Sequence, residues 1–155
     1  MAKIDWESGW ADCKINQFFS DDPSTLYYML NAGNNEKYDF KVQAPSSNVY
    51  YGSKMFGKYI SARDLGNFAA GVVKASSFCG SIFIQWGYGI YNLTKNKYAM
   101  LGIMYYDWFL ISSCDNAIRT FGYDSFLKHS YSEDTFSQQG IDAGYNYWKS
   151  RNENN

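Results

Sequence analysis

Residues 61–73 constrain the fold of this chain more than any other stretch. Ser61-Ala62-Arg63-Asp64 has the form of a capping box, a serine at a helix start with an acid three residues on. Leu65, Phe68, Ala69, Val72 and Val73 then share one face at helical spacing. The pattern predicts a helix with a defined start and one buried side. Gly66 and Gly71 interrupt it. Inside a helix each glycine costs about 1 kcal/mol relative to alanine. Two of them point to close approach by a neighbouring backbone or a ligand.

Helical signals dominate elsewhere too. Residues 4–19 carry a loose amphipathic pattern through Trp6, Trp10, Gln17 and Phe18. Asp22 followed by Pro23 suits an N-cap and a first helical position, opening a helix through Leu26, Tyr27 and Leu30 that ends at Gly33. Residues 34–57 are loop-like, with short strands expected at 38–43 and 49–51. Apolar runs at 78–91 and 98–114 flank a polar turn. Residues 130–148 form the last expected helix, with a second capping box at Ser130 and Glu133 and a fraying tail from Lys149. The expected architecture is a compact, mainly α single domain over residues 1–155, with a loop-rich N-terminal third and a short hairpin; α+β is the alternative.

Composition narrows the function. The net charge is −1, and His129 is the single histidine. A phosphate backbone is met by excess Lys and Arg, so nucleic acid is not an expected partner. One histidine and the scattered Cys13, Cys79 and Cys114 provide no zinc spacing, and no metal or cofactor is expected. An odd thiol count gives no disulfide framework. Residues 1–10 are polar and acidic, without the apolar core of a secretory leader, so export would depend on another segment. Both apolar runs fall short of the roughly 20 residues that span a bilayer. They also carry Gln85 and Asp107, which favours core helices over stable membrane insertion. Aromatic residues make up 20% of the chain, which excludes disorder. Rings of this kind build cores, and they also stack on sugars and partner surfaces.

Asp64 and Asn67 lie one helical turn apart on one face. Asp64 serves as a capping acid, as a site carboxylate, or as both. Glu133 and Asp134 stand at a helix start, and Gln138, Ile141 and Tyr145 follow on one helical face. Acids at a helix start are explained by the helix dipole alone, and the functional reading makes them the mouth of a site. His129 beside Lys128 is a weak candidate base, and Cys79 lacks a local base of its own.

Three segments taken in order resemble the bacterial polymorphic toxin type 44 domains, C-terminal toxin domains of secreted proteins used in competition between bacteria. They are Gly33 with Tyr38-Asp39-Phe40-Lys41, then Asp64-Leu65-Gly66-Asn67 through Gly71, then Glu133-Asp134 through Gln138, Ile141, Gly144 and Tyr147. The likeness covers about residues 30–150. The chain departs from the pattern at Thr135 and Ser137, which shifts weight to Glu133, Asp134 and Gln138. The resemblance implies a toxin delivered to a target cell and held in check by a cognate immunity protein.

Toxin chemistry that suits a neutral, histidine-poor, aromatic-rich chain is hydrolysis of peptidoglycan glycan strands in the periplasm. That reaction needs two acids. Asp64 with Glu133 or Asp134 are the expected catalytic residues. Asn67 and Gln138 are expected to orient sugar or water, Tyr38 and Trp86 to stack beneath a ring, and Lys41 to contact substrate. The alternatives are a metal-independent ribonuclease using Lys41, Arg63 and His129, a pore-forming toxin, and a non-toxic binding module.

Overall fold

The first secondary structure is a strand too short to stand alone. β1 (Lys3–Ile4) pairs in parallel with β2 (Tyr51–Met55), and β2 pairs antiparallel with β3 (Lys58–Ser61), giving a three-stranded sheet in the order β1-β2-β3. The computed structural model describes residues 3–5, 8–45, 48, 50–76, 98 and 135–152. Residues 1–76 with 136–155 make one compact unit and residues 77–135 a second. The description below concerns the first unit.

Five helices complete the described residues: α1 (Trp10–Asp21), α2 (Thr25–Asn31), α3 (Phe40–Gln43), α4 (Ala62–Ser76) and α5 (Thr135–Asn152). The fold is mainly α with a small sheet. The strand expected at 38–43 is the short helix α3. Tyr38 and Phe40 are both buried two residues apart, a spacing that imitates a strand, but the chain turns into helix after Asp39. The strand expected at 49–51 begins at Tyr51 and continues to Met55.

Asp22 does not open a helix. It ends α1 in a left-handed conformation (φ 40°), and α2 is capped by Ser24, whose Oγ accepts from the Tyr27 N–H at 3.4 Å. Proline explains the shift. Pro23 disfavours the right-handed helical region at Asp22, so α1 must stop there. At the other end of the chain, α5 carries helix to Asn152, past the point where fraying was expected. The Ser130–Glu133 capping box and most of the two apolar runs lie outside the described residues.

α1 buries Ala11, Ile15 and Phe18, one stripe at helical spacing. Its N-cap, Gly9, has no side chain; Ser8 Oγ accepts from the Trp10 N–H at 3.2 Å, and Ser53 of β2 takes the next amide. Its Oγ accepts from the Ala11 N–H at 3.2 Å and donates to the Ser8 carbonyl at 2.8 Å. Sheet and helix are thus joined by one fully buried hydroxyl.

Beneath α1, an aromatic cluster packs Phe18 edge-on to Tyr28 and Tyr38, with ring centroids 5.8 and 5.5 Å away. α4 is the central element and buries Leu65, Phe68, Ala69, Val72 and Val73, the face predicted from spacing. α5 crosses it at glycines. A β-carbon on Gly71 would overlap the Ile141 carbonyl oxygen, and one on Gly144 would overlap the Phe68 carbonyl oxygen. The two helices therefore approach backbone to backbone.

Candidate functional site

Asp64 sits in the first turn of α4, where Ser61 caps the helix. The Asp64 N–H donates to Ser61 Oγ at 3.1 Å, and Ser61 Oγ–H donates to Asp64 Oδ2 at 2.6 Å. The N-cap half of the expected capping box is therefore present, while the acid meets the Ser61 hydroxyl and not its amide. Oδ1 of the half-buried Asp64 takes no hydrogen bond among the described residues. One turn on, Asn67 Nδ2 is buried without a hydrogen-bond partner. An unsatisfied buried donor costs about 1–3 kcal/mol, so its persistence calls for a reason.

α5 closes over this turn at Gly140. A β-carbon on Gly140 would lie 2.8 Å from Asn67 Cβ, 3.6 Å from Asn67 Nδ2 and 3.6 Å from the Asp64 carbonyl oxygen. Beside it, Arg63 Nη2 donates to Ser137 Oγ at 2.9 Å, and Ser137 is 2% exposed. Two of the three segments singled out in the sequence, around Asp64–Gly71 and around Gln138–Gly144, thus pack as one corner. Ser137, where the chain departs from the toxin pattern, is the buried anchor of that corner.

The remaining expected residues sit elsewhere. Gln138 Nε2 donates to Asp142 Oδ1 at 2.9 Å on the outside of its own helix. Tyr38 is 4% exposed, stacked on Tyr28 with centroids 5.5 Å apart, and its hydroxyl donates to Asp21 Oδ2 at 3.3 Å. Its ring is occupied by protein, so it is a core residue and not a platform for a sugar. Lys41 is exposed, with Nζ 4.0 Å from Oδ1 of the buried Asp39. No hydrogen bond or ion pair among the described residues joins Tyr38 or Lys41 to Asp64. Trp86, Glu133 and Asp134 lie outside the described residues, as do Cys79, Cys114, Lys128 and His129.

Arg63, named in the sequence only as part of the ribonuclease alternative, serves here as the donor to Ser137. Lys74 is not singled out by residue type, but it has a positional signal. Asn67, Gly71 and Lys74 recur at helical spacing on the face that meets α5. Lys74 is 8% exposed with Nζ 5.6 Å from the Tyr145 ring centroid. Burial pushes its pKa below the usual lysine value of 10.5, and the Asp142 charge opposes the shift.

Among the described residues, no group of three or more His, Cys, Asp or Glu side chains is placed to hold a metal ion. No described helix is long and apolar enough to cross a membrane. No family model matches the chain, and no curated protein or solved structure matches it either. The likeness to toxin domains rests on the quoted residues alone.

Proposed function

We propose that this chain is an antibacterial effector that hydrolyses the glycan strands of peptidoglycan by carboxylate chemistry, with Asp64 as one of two acids. The observation that carries this reading is Asp64 itself, a half-buried carboxylate in the first turn of α4 whose Oδ1 takes no hydrogen bond among the described residues. Ser61 Oγ–H donates a hydrogen bond to Asp64 Oδ2, so Oδ1 is the acceptor left for chemistry. That suits activation of water or stabilisation of an oxocarbenium ion. The second acid this chemistry requires is Glu133 or Asp134, nominated from the sequence pattern. The partner expected with such an effector is a cognate immunity protein, which covers the site in the producing cell.

Expression in a test bacterium checks this. Export to the periplasm is expected to kill and to release soluble muropeptides, and cytoplasmic expression is expected to be tolerated. Asp64→Asn should abolish killing with the fold retained. Ser61→Ala removes the same capping bonds without removing the carboxylate, and should keep most of the activity. Equal loss in both variants would reduce Asp64 to a cap. Killing from the cytoplasm with degraded RNA would replace the glycosidase by a nuclease.

A further inference from the structure

α4 and α5 also meet where Gly71 faces the Tyr145 backbone: a β-carbon on Gly71 would lie 2.8 Å from the Tyr145 nitrogen. That contact brings the Tyr145 ring onto Lys74, one turn further along the same side of α4. Lys149 reaches the same ring from one turn further along α5. Lys74 Nζ lies 5.6 Å and Lys149 Nζ 5.8 Å from the Tyr145 centroid. Two ammonium groups therefore share one half-buried ring.

No anion is in contact with either cation. Lys74 is 8% exposed and Lys149 is exposed, and neither makes a hydrogen bond or ion pair among the described residues. The Tyr145 hydroxyl makes no hydrogen bond among them either. An ammonium withdrawn from water without an anion is unfavourable, and burial accordingly lowers the Lys74 pKa.

What answers these charges is partial. Asp142 acts on Lys74 from beyond ion-pair distance, and its Oδ1 already accepts from Gln138 Nε2 at 2.9 Å. Each lysine lies in the last turn of its helix. A helix C-terminus offers about −0.5 of an elementary charge, which offsets part of one ammonium. The Tyr145 ring attracts both cations through its quadrupole and carries no net charge.

We propose that Lys74, Lys149 and the Tyr145 hydroxyl form a binding site for a phosphate monoester group. A monoester carries about −1.5 to −2 charges at pH 7 and three strong acceptor oxygens. Two ammonium groups and a hydroxyl match it in both charge and donors. A carboxylate or a phosphodiester brings a single charge and leaves one ammonium unanswered. Exposed Lys149 meets the group from solvent, and buried Lys74 fixes how deep it sits. The site is independent of the glycan-hydrolase reading. Along α4, Lys74 is ten residues beyond Asp64, a rise of about 15 Å at helical pitch.

Calorimetric titration of the whole chain with methyl phosphate, dimethyl phosphate and acetate tests it. Methyl phosphate should bind about tenfold more tightly than either competitor, equal to about 1.4 kcal/mol. Lys74→Met and Lys149→Gln should each weaken methyl phosphate by about tenfold, and Lys58→Gln on β3 should leave it unchanged. Methionine is unbranched and apolar, so it suits the buried position and keeps the fold. NMR titration of the Lys74 ammonium should show its pKa rise when methyl phosphate is bound, because a nearby anion favours the charged form. A lysine that only packs on Tyr145 would show no such rise. No binding of methyl phosphate, equal affinity for methyl phosphate and either competitor, unchanged affinity in Lys74→Met, or a Lys74 pKa indifferent to the ligand overturns the proposal.

Discussion

Gly71 rests against the carbonyl group of Ile141 with no space between them for a side chain. Gly144 answers from the other helix, against the carbonyl of Phe68. This reciprocal contact sets the separation of α4 and α5, and the separation decides what lies beside Asp64 and Asn67.

Three alanine substitutions separate helix propensity from packing. At Gly71 and Gly144 the new methyl would meet backbone, which cannot swing aside. Each should destabilise by about 1–3 kcal/mol or more despite the better helix former. Gly66 has nothing within 4 Å of its would-be β-carbon. Gly66→Ala should therefore stabilise, by about 0.5–1 kcal/mol. Urea midpoints measured on the three variants decide the matter.

Ser53→Ala should be costly for so small a change. The hydroxyl caps α1 through Ala11 and holds the Ser8 carbonyl, and the residue is fully buried. Its loss leaves two buried groups unpaired, and about 1–3 kcal/mol is expected for a group left unsatisfied. Amide exchange should rise first in the opening turn of α1.

The hairpin between β2 and β3 turns on Phe56 and Gly57, both at positive φ (51° and 77°). Phenylalanine is a poor residue for that conformation. Two contacts hold it. The Phe56 N–H donates to Asp12 Oδ1 at 2.8 Å, and the ring stacks on Tyr147 with centroids 5.0 Å apart and planes at 7°. Tyr147→Ala should remove that support together with the contacts to Phe19 and Phe68. A loss of about 2–4 kcal/mol is expected on thermal melting, as for other large-to-small aromatic changes. Phe56→Asn should lose less, because asparagine relieves the backbone strain.

Alkaline titration should show opposed effects. The Lys74 pKa is lowered by burial, so the folded state pays for its charge near neutral pH. That cost fades as pH rises from the lowered value toward 10.5, and stability rises over the same window. Burial raises Tyr38 and Tyr51 above 10.0, and the hydrogen bond to Asp21 chiefly raises Lys37 above 10.5. Stability from these groups is present below the ordinary values and is lost as pH climbs through the raised ones. Lys74→Met should raise the unfolding midpoint near neutral pH and flatten the rise below 10.5 without changing the fall above it.

Local signals were legible where a short stretch decides its own conformation. The α4 start at Ser61, its buried face and the need for close approach at Gly71 all follow from residues within two turns. Asp22 misled because its effect depends on direction. The same Asp-Pro pair that can open a helix here stops one. A short hairpin is expected from the sequence, but its turn is not legible, because Phe56-Gly57 lacks the usual asparagine or aspartate and its support comes from Asp12 and Tyr147, which are far away in sequence. Tyr38 looks like a ligand platform in the sequence because an aromatic residue in a loop-like segment suggests exposure. Its neighbours Phe18 and Tyr28 belong to other elements, and only folding brings them over its ring.

By itself, then, the sequence determined a mainly α chain with one well-started central helix, and it marked Asp64, Asn67 and Gly71 as a unit. Periodicity and capping are local, so they survive without any knowledge of partners. The tertiary structure decided which helix lies on Gly71, which hydroxyl caps α1, and that Ser137 and Arg63 anchor the corner beside Asp64. It also decided that Lys74 and Lys149 share the ring of Tyr145. Those facts depend on contacts between residues tens of positions apart, where burial, and not local preference, selects the arrangement.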